Sequence, residues 1–231
     1  MIETTSEKNI RWLTIARPRA ANALDAVTLQ ALVAELDHAL ADGEVGAVVL
    51  RAAGERVFSA GADLKEYSDL LPSQAALERR KCLLRALLAL VDFPKPLVAA
   101  VHAPAIGAGA MLPLACDEIV MAEDAWLSFP EIELDMPTPI GAVLIGHRSL
   151  RRTVQTLVQQ GQRMNASDAR LAGLVDEVVS LAELPLRSAV VADGYAPRSG
   201  RAFALNKRWM NRELRRSLIE AAEFVSANSS P

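Results

Sequence analysis

Long apolar runs are missing from this 231-residue chain. No stretch approaches the ~18–20 consecutive apolar residues that a membrane-spanning helix requires. Residues 1–9 are polar and acidic, without the apolar core of a secretory leader, so a cytoplasmic protein with no membrane partner is expected. Cysteine is scarce: Cys82 and Cys116 are the only two. Both fall in segments read as helical and are expected to be small buried hydrophobes in a reducing compartment, not a disulfide framework. The three histidines, His38, His102 and His147, are scattered without metal-ligand spacing, so no metal is expected. Neither sign of charge dominates, with a net charge of −3 from 25 basic and 28 acidic residues, which removes the general electrostatic basis for binding nucleic acid or anionic membrane. Aromatic residues make up only 4%, favouring helices and close packing of small side chains. No serine nucleophile elbow occurs. The Gly107-Ala108-Gly109 pattern lacks the third glycine and the downstream acid of a dinucleotide fingerprint, so a nicotinamide cofactor is not implied.

What is present is enough apolar material for a sizeable core. The chain is 51% hydrophobic and 23% charged, a globular composition at a length that suits one large domain. Residues 10–15 alternate as a half-buried strand should. Asp25 is placed to N-cap a helix over 26–41, whose Leu29, Leu32, Val33, Leu36 and Leu40 form an apolar stripe. Short continuous apolar runs at 47–50 and 96–101 read as strands covered on both faces. Further strands are expected at 119–122 and 126–129, and a turn and strand over 173–179. Helices are expected over 72–90, 141–160, 163–172, 185–192 and 201–225, with a loose tail from 226 to 231. Strands alternate with helices throughout, which argues for an α/β fold with largely parallel strands.

Twice a strand runs into a Gly/Ala-rich turn and then a helix, at Ala60-Gly61-Ala62 and at Gly107-Ala108-Gly109. Glycine lets the backbone turn tightly and approach a ligand closely. A helix start aims free N–H groups, and the positive end of its dipole, at what lies in front of it. Glu131 follows the second turn in the apolar setting of Phe129 and Ile132. Backbone donors facing a carboxylate are the minimum set for forming and stabilising an enolate, although Gly/Ala-rich turns also arise simply from close packing.

The ordered set Arg17-Pro18…Asn22-Ala23-Leu24, Phe58-Ser59-Ala60-Gly61-Ala62-Asp63-Leu64-Lys65, Lys95-Pro96…Ile106-Gly107-Ala108-Gly109, Cys116-Asp117 and Phe129-Pro130-Glu131-Ile132 closely resembles the enoyl-CoA hydratase/isomerase (crotonase) superfamily. Ala166-Ser167-Asp168…Gly173-Leu174-Val175-Asp176 resembles the next segment of that family. The resemblance implies a crotonase-like spiral of ββα units over residues 1–185. A helical C-terminal trimerisation region, shortened here, would occupy 186–231, with assembly as a homotrimer or hexamer. It implies an acyl-CoA thioester as substrate, with coenzyme A entering as part of that substrate and no separate cofactor. One backbone N–H from each turn, matched to Ala60 and Ala108, is expected to grip the thioester oxygen. Two preorganised donors stabilise the charge that develops there, each worth on the order of 3 kcal/mol. Gly61, Gly107, Gly109 and Met111 are expected around the bound acyl group. Arg19 and Lys65 are candidates for coenzyme A phosphates, with solvated surface charge as the alternative.

Two departures from the family pattern shape the expected reaction. Hydratases carry a glutamate in the helix after the second turn and another in the later Pro-Glu motif; here the later one is Glu131 and the earlier position is Met111. Moving a double bond from the 3,4 to the 2,3 position needs one carboxylate, which takes a proton from C2 and returns it to C4. The pattern therefore favours isomerisation with Glu131 as the single acid/base, ahead of hydration or another enolate reaction. A catalytically weak acyl-CoA-binding protein is the alternative of a different class. The chain also ends a couple of dozen residues short of the usual family length, from which a more open site or a changed subunit contact is expected.

Overall fold

The computed structural model describes residues 1–66, 68 and 70–228. The strands are β1 (Ile2–Glu7), β2 (Ile10–Ile15), β3 (Ala47–Ala52), β4 (Leu97–Val101), β5 (Ala105–Ile106), β6 (Glu118–Ala122), β7 (Trp126–Ser128), β8 (Met164–Asn165) and β9 (Glu177–Val179). The helices are α1 (Ala26–Ala41), α2 (Pro72–Asp92), α3 (Ala108–Leu114), α4 (Pro139–Arg148), α5 (Arg151–Val154), α6 (Ala166–Leu171), α7 (Leu184–Tyr195), α8 (Arg201–Met210) and α9 (Arg212–Asn228).

Six strands form one sheet in the order β1-β2-β3-β4-β6-β9, antiparallel between β1 and β2 and parallel elsewhere. Leu97, Val98, Ala99, Ala100 and Val101 of β4 are all buried, as are Ala47, Val48, Val49 and Leu50 of β3. Such runs are stable only where both faces are covered. A second, small sheet, β5-β7-β8, stands where β5 leads into the second turn. It pairs Ile106 with Ser128 in parallel, and an isolated bridge joins Ser59 to Ala105. These pairings tie the first turn, the second turn and the start of the Glu131 segment into one piece.

The mixed α/β architecture with its helical C-terminal region is the expected one. Asp25 caps α1 as its position predicts, its Oδ1 accepting the Thr28 N–H at 2.8 Å. The differences lie where local pattern is overridden. Residues 2–7, too polar to read as a strand, form β1, an edge strand whose residues beyond Ile2 are exposed and whose pairing with β2 is set by backbone hydrogen bonds. The helix expected over 141–160 is divided into α4, α5 and a π-helical stretch, Gln155–Gln159. Residues 201–225 are two helices, divided at Asn211, whose side-chain amide donates to the Val91 carbonyl at 3.1 Å. Residues 226–228, expected as tail, continue α9, and the remaining tail residues, 229–231, lie outside the described residues.

The C-terminal helices are anchored through a buried charge. Lys207 of α8 is only 6% exposed, and its Nζ meets Asp117 Oδ2 at 2.6 Å. That Asp117 oxygen also accepts the Leu97 N–H at the start of β4. The Cys116-Asp117 pair is therefore structural: the aspartate joins α8 to the central sheet. The Cys116 thiol is fully buried and pushed up to about 12 by loss of solvent, with the Asp117 charge adding to it.

Candidate active site

The first turn is built on an arginine–asparagine scaffold. Arg17 Nη2 lies 3.0 Å from Asp25 and 3.1 Å from Asp63, while Nη1 donates to the Ala23 carbonyl. Asn22 is fully buried; its Oδ1 accepts the Arg17 N–H at 2.9 Å and its Nδ2 donates to the Ala53 and Val57 carbonyls at 2.8 and 3.2 Å. Ala21 and Asn22 are both left-handed, at φ +52° and +51°. That conformation costs a non-glycine residue on the order of 1 kcal/mol and is held here by the surrounding bonds. It turns the Ala21 carbonyl toward Ala60, whose N–H donates to it at 3.0 Å.

That bond corrects the expectation for Ala60. Its N–H is already engaged inside the protein, and the Gly61 N–H is likewise taken, by Ser59 Oγ at 3.2 Å. The Ala62 N–H has no hydrogen-bond partner among the described residues. Within this turn the unengaged N–H is thus that of Ala62, two residues beyond the expected Ala60. Nothing in the residue types distinguishes the three N–H groups; the parallel bridge between Leu24 and Ala62, with Asp63 N donating to the Leu24 carbonyl, decides which one is left over.

The second turn comes from β5 into α3. Ala108 is the first residue of α3, and its N–H has no partner among the described residues, as helix geometry dictates for a first-turn donor. The two turns are in contact: a Cβ on Gly61 would stand 2.8 Å from the Ile106 carbonyl oxygen and 3.5 Å from the Ala108 nitrogen. Gly109 lets α3 approach so closely, since a Cβ there would fall 2.6 Å from both Cβ and Oγ of Ser59. The position expected as a pocket residue is thus a packing position that brings the turns together.

Glu131 is delivered by β7. The Gly107 N–H donates to the Ser128 carbonyl at 2.8 Å, and a 3-10 turn, Pro130–Leu134, carries the glutamate back over the second turn. A Cβ on Gly107 would lie 2.5 Å from Glu131 Oε1. Oε2 is buried without a hydrogen bond. Burial pushes the carboxyl above its ordinary range, because a charged carboxylate there loses water, a loss that its own backbone N–H offsets only in part. Glu133 and Asp135 are exposed and outside the cleft, so they provide neither a second acid in it nor a cap for α4.

The donors and the acid open onto one cleft of about 180 Å³, lined by Ala60, Gly61, Ala62, Gly107, Ala108, Met111 and Glu131 together with residues from α1, α2, the segment before α4, and α9. The Met111 side chain, buried, fills the wall beside the second turn. Two unengaged backbone donors and one carboxyl with an unpartnered oxygen in a shared cleft suit the removal of a proton next to a carbonyl.

Comparison with known proteins agrees. A family model described as enoyl-CoA hydratase/isomerase matches residues 5–230. The chain belongs to the enoyl-CoA hydratase/isomerase family, the crotonase superfamily. It is 34% identical over 229 residues to a probable enoyl-CoA hydratase of Rhizobium meliloti, covering 97% of this chain and 85% of that one. It is 31% identical over 232 residues to a short-chain-enoyl-CoA hydratase of Clostridium acetobutylicum, covering 95% and 84%. The structure of an enoyl-CoA isomerase of Mycobacterium tuberculosis is similar at a TM-score of 0.90 and 26% identity, covering 99% of this chain and 98% of that one.

Within this family fold, Arg19 and Lys65 are exposed and neither lines the cleft. The cations that do are Arg79 and Arg80 of α2, which the sequence presented as part of a charged helix face and no motif singled out. Glu66 also lines the cleft, with Oε1 turned to the Ala26 N–H at the start of α1. Among the described residues, no group of three His, Cys, Asp or Glu side chains is placed to hold a metal ion, and no helix is long and apolar enough to cross a membrane.

Proposed function

We propose that the cleft binds an acyl-CoA thioester with its carbonyl oxygen between the N–H groups of Ala62 and Ala108, and that Glu131 transfers the proton at C2. The observation that carries this reading is the Glu131 carboxyl, buried with one oxygen unpartnered, beside two unengaged backbone donors. A base with a raised proton affinity takes a carbon-bound proton more readily than an ordinary carboxylate. The two donors stabilise the enolate oxygen as charge moves onto it.

The favoured reaction is conversion of a 3-enoyl to a 2-enoyl thioester. Glu131 removes the proton from C2, the double bond shifts through the enolate, and the same carboxyl returns the proton to C4. Met111 supports this choice, since the position that faces the cleft from α3 carries no proton. Hydration by Glu131 alone is the second reading, favoured by the hydratase names of the curated relatives. Incubation with 3-enoyl-CoA and with crotonyl-CoA in heavy water separates the readings. C2 deuteration with a shifted double bond is expected; addition of water to crotonyl-CoA supports the second reading, and tight binding with neither sinks both in favour of an acyl-CoA-binding protein. A Met111→Glu variant is expected to raise hydration by about 10²-fold, the usual worth of one general acid/base.

The trimer or hexamer implied by the family resemblance finds support in the exposed Leu205, Trp209 and Met210 of α8 and Phe224 of α9. Sedimentation equilibrium tests it, a monomer at micromolar concentration being the contrary result.

A further inference from the structure

The α2–α9 wall of the cleft carries two arginines that the proton-transfer chemistry does not use. Most half-buried arginines elsewhere in the molecule meet carboxylates: Arg11 with Asp42 at 2.9 Å, Arg17 with Asp25 and Asp63, Arg148 with Asp176, and Arg187 with Glu177, whereas Arg51 stacks over Trp12 and donates to Thr14 Oγ1. Arg79 and Arg80 are also half-buried, yet neither forms an ion pair among the described residues. Each uses one nitrogen on a neutral oxygen, Arg79 Nη1 on the Glu66 carbonyl at 2.9 Å and Arg80 Nη1 on Ser226 Oγ at 3.3 Å. A guanidinium has five N–H donors in a rigid fork, so most of that capacity has no partner among the described residues, and both residues line the cleft. Placing a charge out of water without a counter-charge is costly. Two adjacent ones without an ion-pair partner among the described residues are accounted for by an anion arriving with the ligand.

We propose, building on the acyl-thioester reading above, that Arg79 and Arg80 form an anion subsite and that the acyl group selected by this cleft ends in a carboxylate. The side chains around the pair, Ala76, Leu83 and Val225, are apolar and suit the methylene chain of an acyl group. Charge balance favours a single carboxylate over the phosphates of coenzyme A. Among the described residues of this wall, two guanidinium groups and the carboxylate of Glu66 leave one net positive charge, which one carboxylate neutralises and a polyanion overfills. A forked, two-bond contact to a guanidinium supplies the selectivity.

The test is equilibrium binding of saturated thioesters, which need no proton transfer. Glutaryl-, adipyl- and suberyl-CoA are compared with the methyl-ended acyl-CoAs of matching length, and the same acyl groups are compared as N-acetylcysteamine thioesters, which carry no phosphate. Tighter binding of the carboxylate-ended member by about tenfold or more is expected for at least one length in both series, the usual worth of a charged hydrogen bond. In Arg80→Met and in Arg79→Met/Arg80→Met the ratio is expected to fall toward one, with melting temperatures confirming that the variants fold. Equal affinity for acid and methyl ends in the wild-type protein overturns the proposal. So does a loss in the variants that affects every coenzyme A thioester alike and no N-acetylcysteamine thioester, which would assign the arginines to phosphate. Deuterium exchange at C2 is measured separately. Its absence alongside an intact acid/methyl ratio removes the proton-transfer reading and leaves the subsite standing; its presence alongside a ratio of one does the reverse.

Discussion

Gly107→Ala perturbs the contact on which the proposed chemistry depends. Gly107 has φ +52° and ψ −123°, a conformation that L side chains strongly disfavour, and its added Cβ would stand 2.5 Å from Glu131 Oε1 and 3.3 Å from Cδ. Backbone strain of this kind costs about 1–3 kcal/mol, which for a protein of this size lowers the melting temperature by roughly 2–12 °C. The carboxylate, being the end of a flexible side chain, relieves the clash by retreating about 1 Å, and a misplacement of that size costs about 10²-fold in turnover. The assay is C2 deuterium exchange on an accepted acyl-CoA at saturation, with a thermal melt of the same sample. A Glu131→Gln background supplies the control: with the carboxylate already neutralised, adding Gly107→Ala should lower the residual rate little, although it should still lower the melting temperature. Loss of activity of equal size in both backgrounds would refute the idea that Gly107 acts through Glu131. Wild-type exchange and a wild-type melt would refute the close approach itself.

The remaining predictions concern protonation and the scaffold. Exchange by Glu131 requires its ionised form, so the acid limb of kcat/KM should fall above the usual carboxylate range and vanish in Glu131→Gln. The same raised proton affinity makes the wild-type fold lose stability as pH rises from the ordinary value of 4.5 through the raised one, because the folded state holds a proton that the unfolded chain has released. Denaturation at pH 7 should accordingly find Glu131→Gln at least as stable as wild type, and at pH 3 the difference should close. Lys207→Met leaves Asp117 buried without its cation and should destabilise by about 3–5 kcal/mol, read as a lower urea midpoint, with Lys207→Met/Asp117→Asn recovering part of it. Asn22→Ala removes three buried hydrogen bonds and should destabilise by about 2–4 kcal/mol. It should also slow exchange by releasing the turn that ends at Ala62, and retention of full exchange would argue against that turn as an oxyanion support.

The alternation of strands with helices was legible: α1 and the fully buried β4 lie where capping and apolar runs put them. Strand β2 spans its expected residues, although all but Arg11 are buried where an alternating, half-buried strand was expected. The two glycine turns were legible as well, because Gly61 and Gly107 each carry a positive φ and a close approach that few residue types satisfy. Glu131 was picked out by its apolar neighbours Phe129 and Ile132 and the family resemblance. Edge strand β1 was not legible, since the stability of its polar residues comes from pairing with β2 and not from their own pattern. The division of α8 from α9 depends on a contact between Asn211 and Val91, 120 positions apart in the chain.

By itself the sequence determined that two tight turns and one isolated carboxyl must exist in an α/β core, since glycine and apolar spacing act locally. Only the tertiary structure decided which backbone proton is unengaged. Ala60 and Ala62 are the same residue in the same turn; the left-handed Ala21 carbonyl takes the first N–H and the bridge to Leu24 leaves the second open. It also decided that Arg79 and Arg80, two of many charges on a helix, face the same cleft as Glu131. Partner choice for an N–H or a guanidinium is settled by groups brought together from distant parts of the chain, and no local pattern records it.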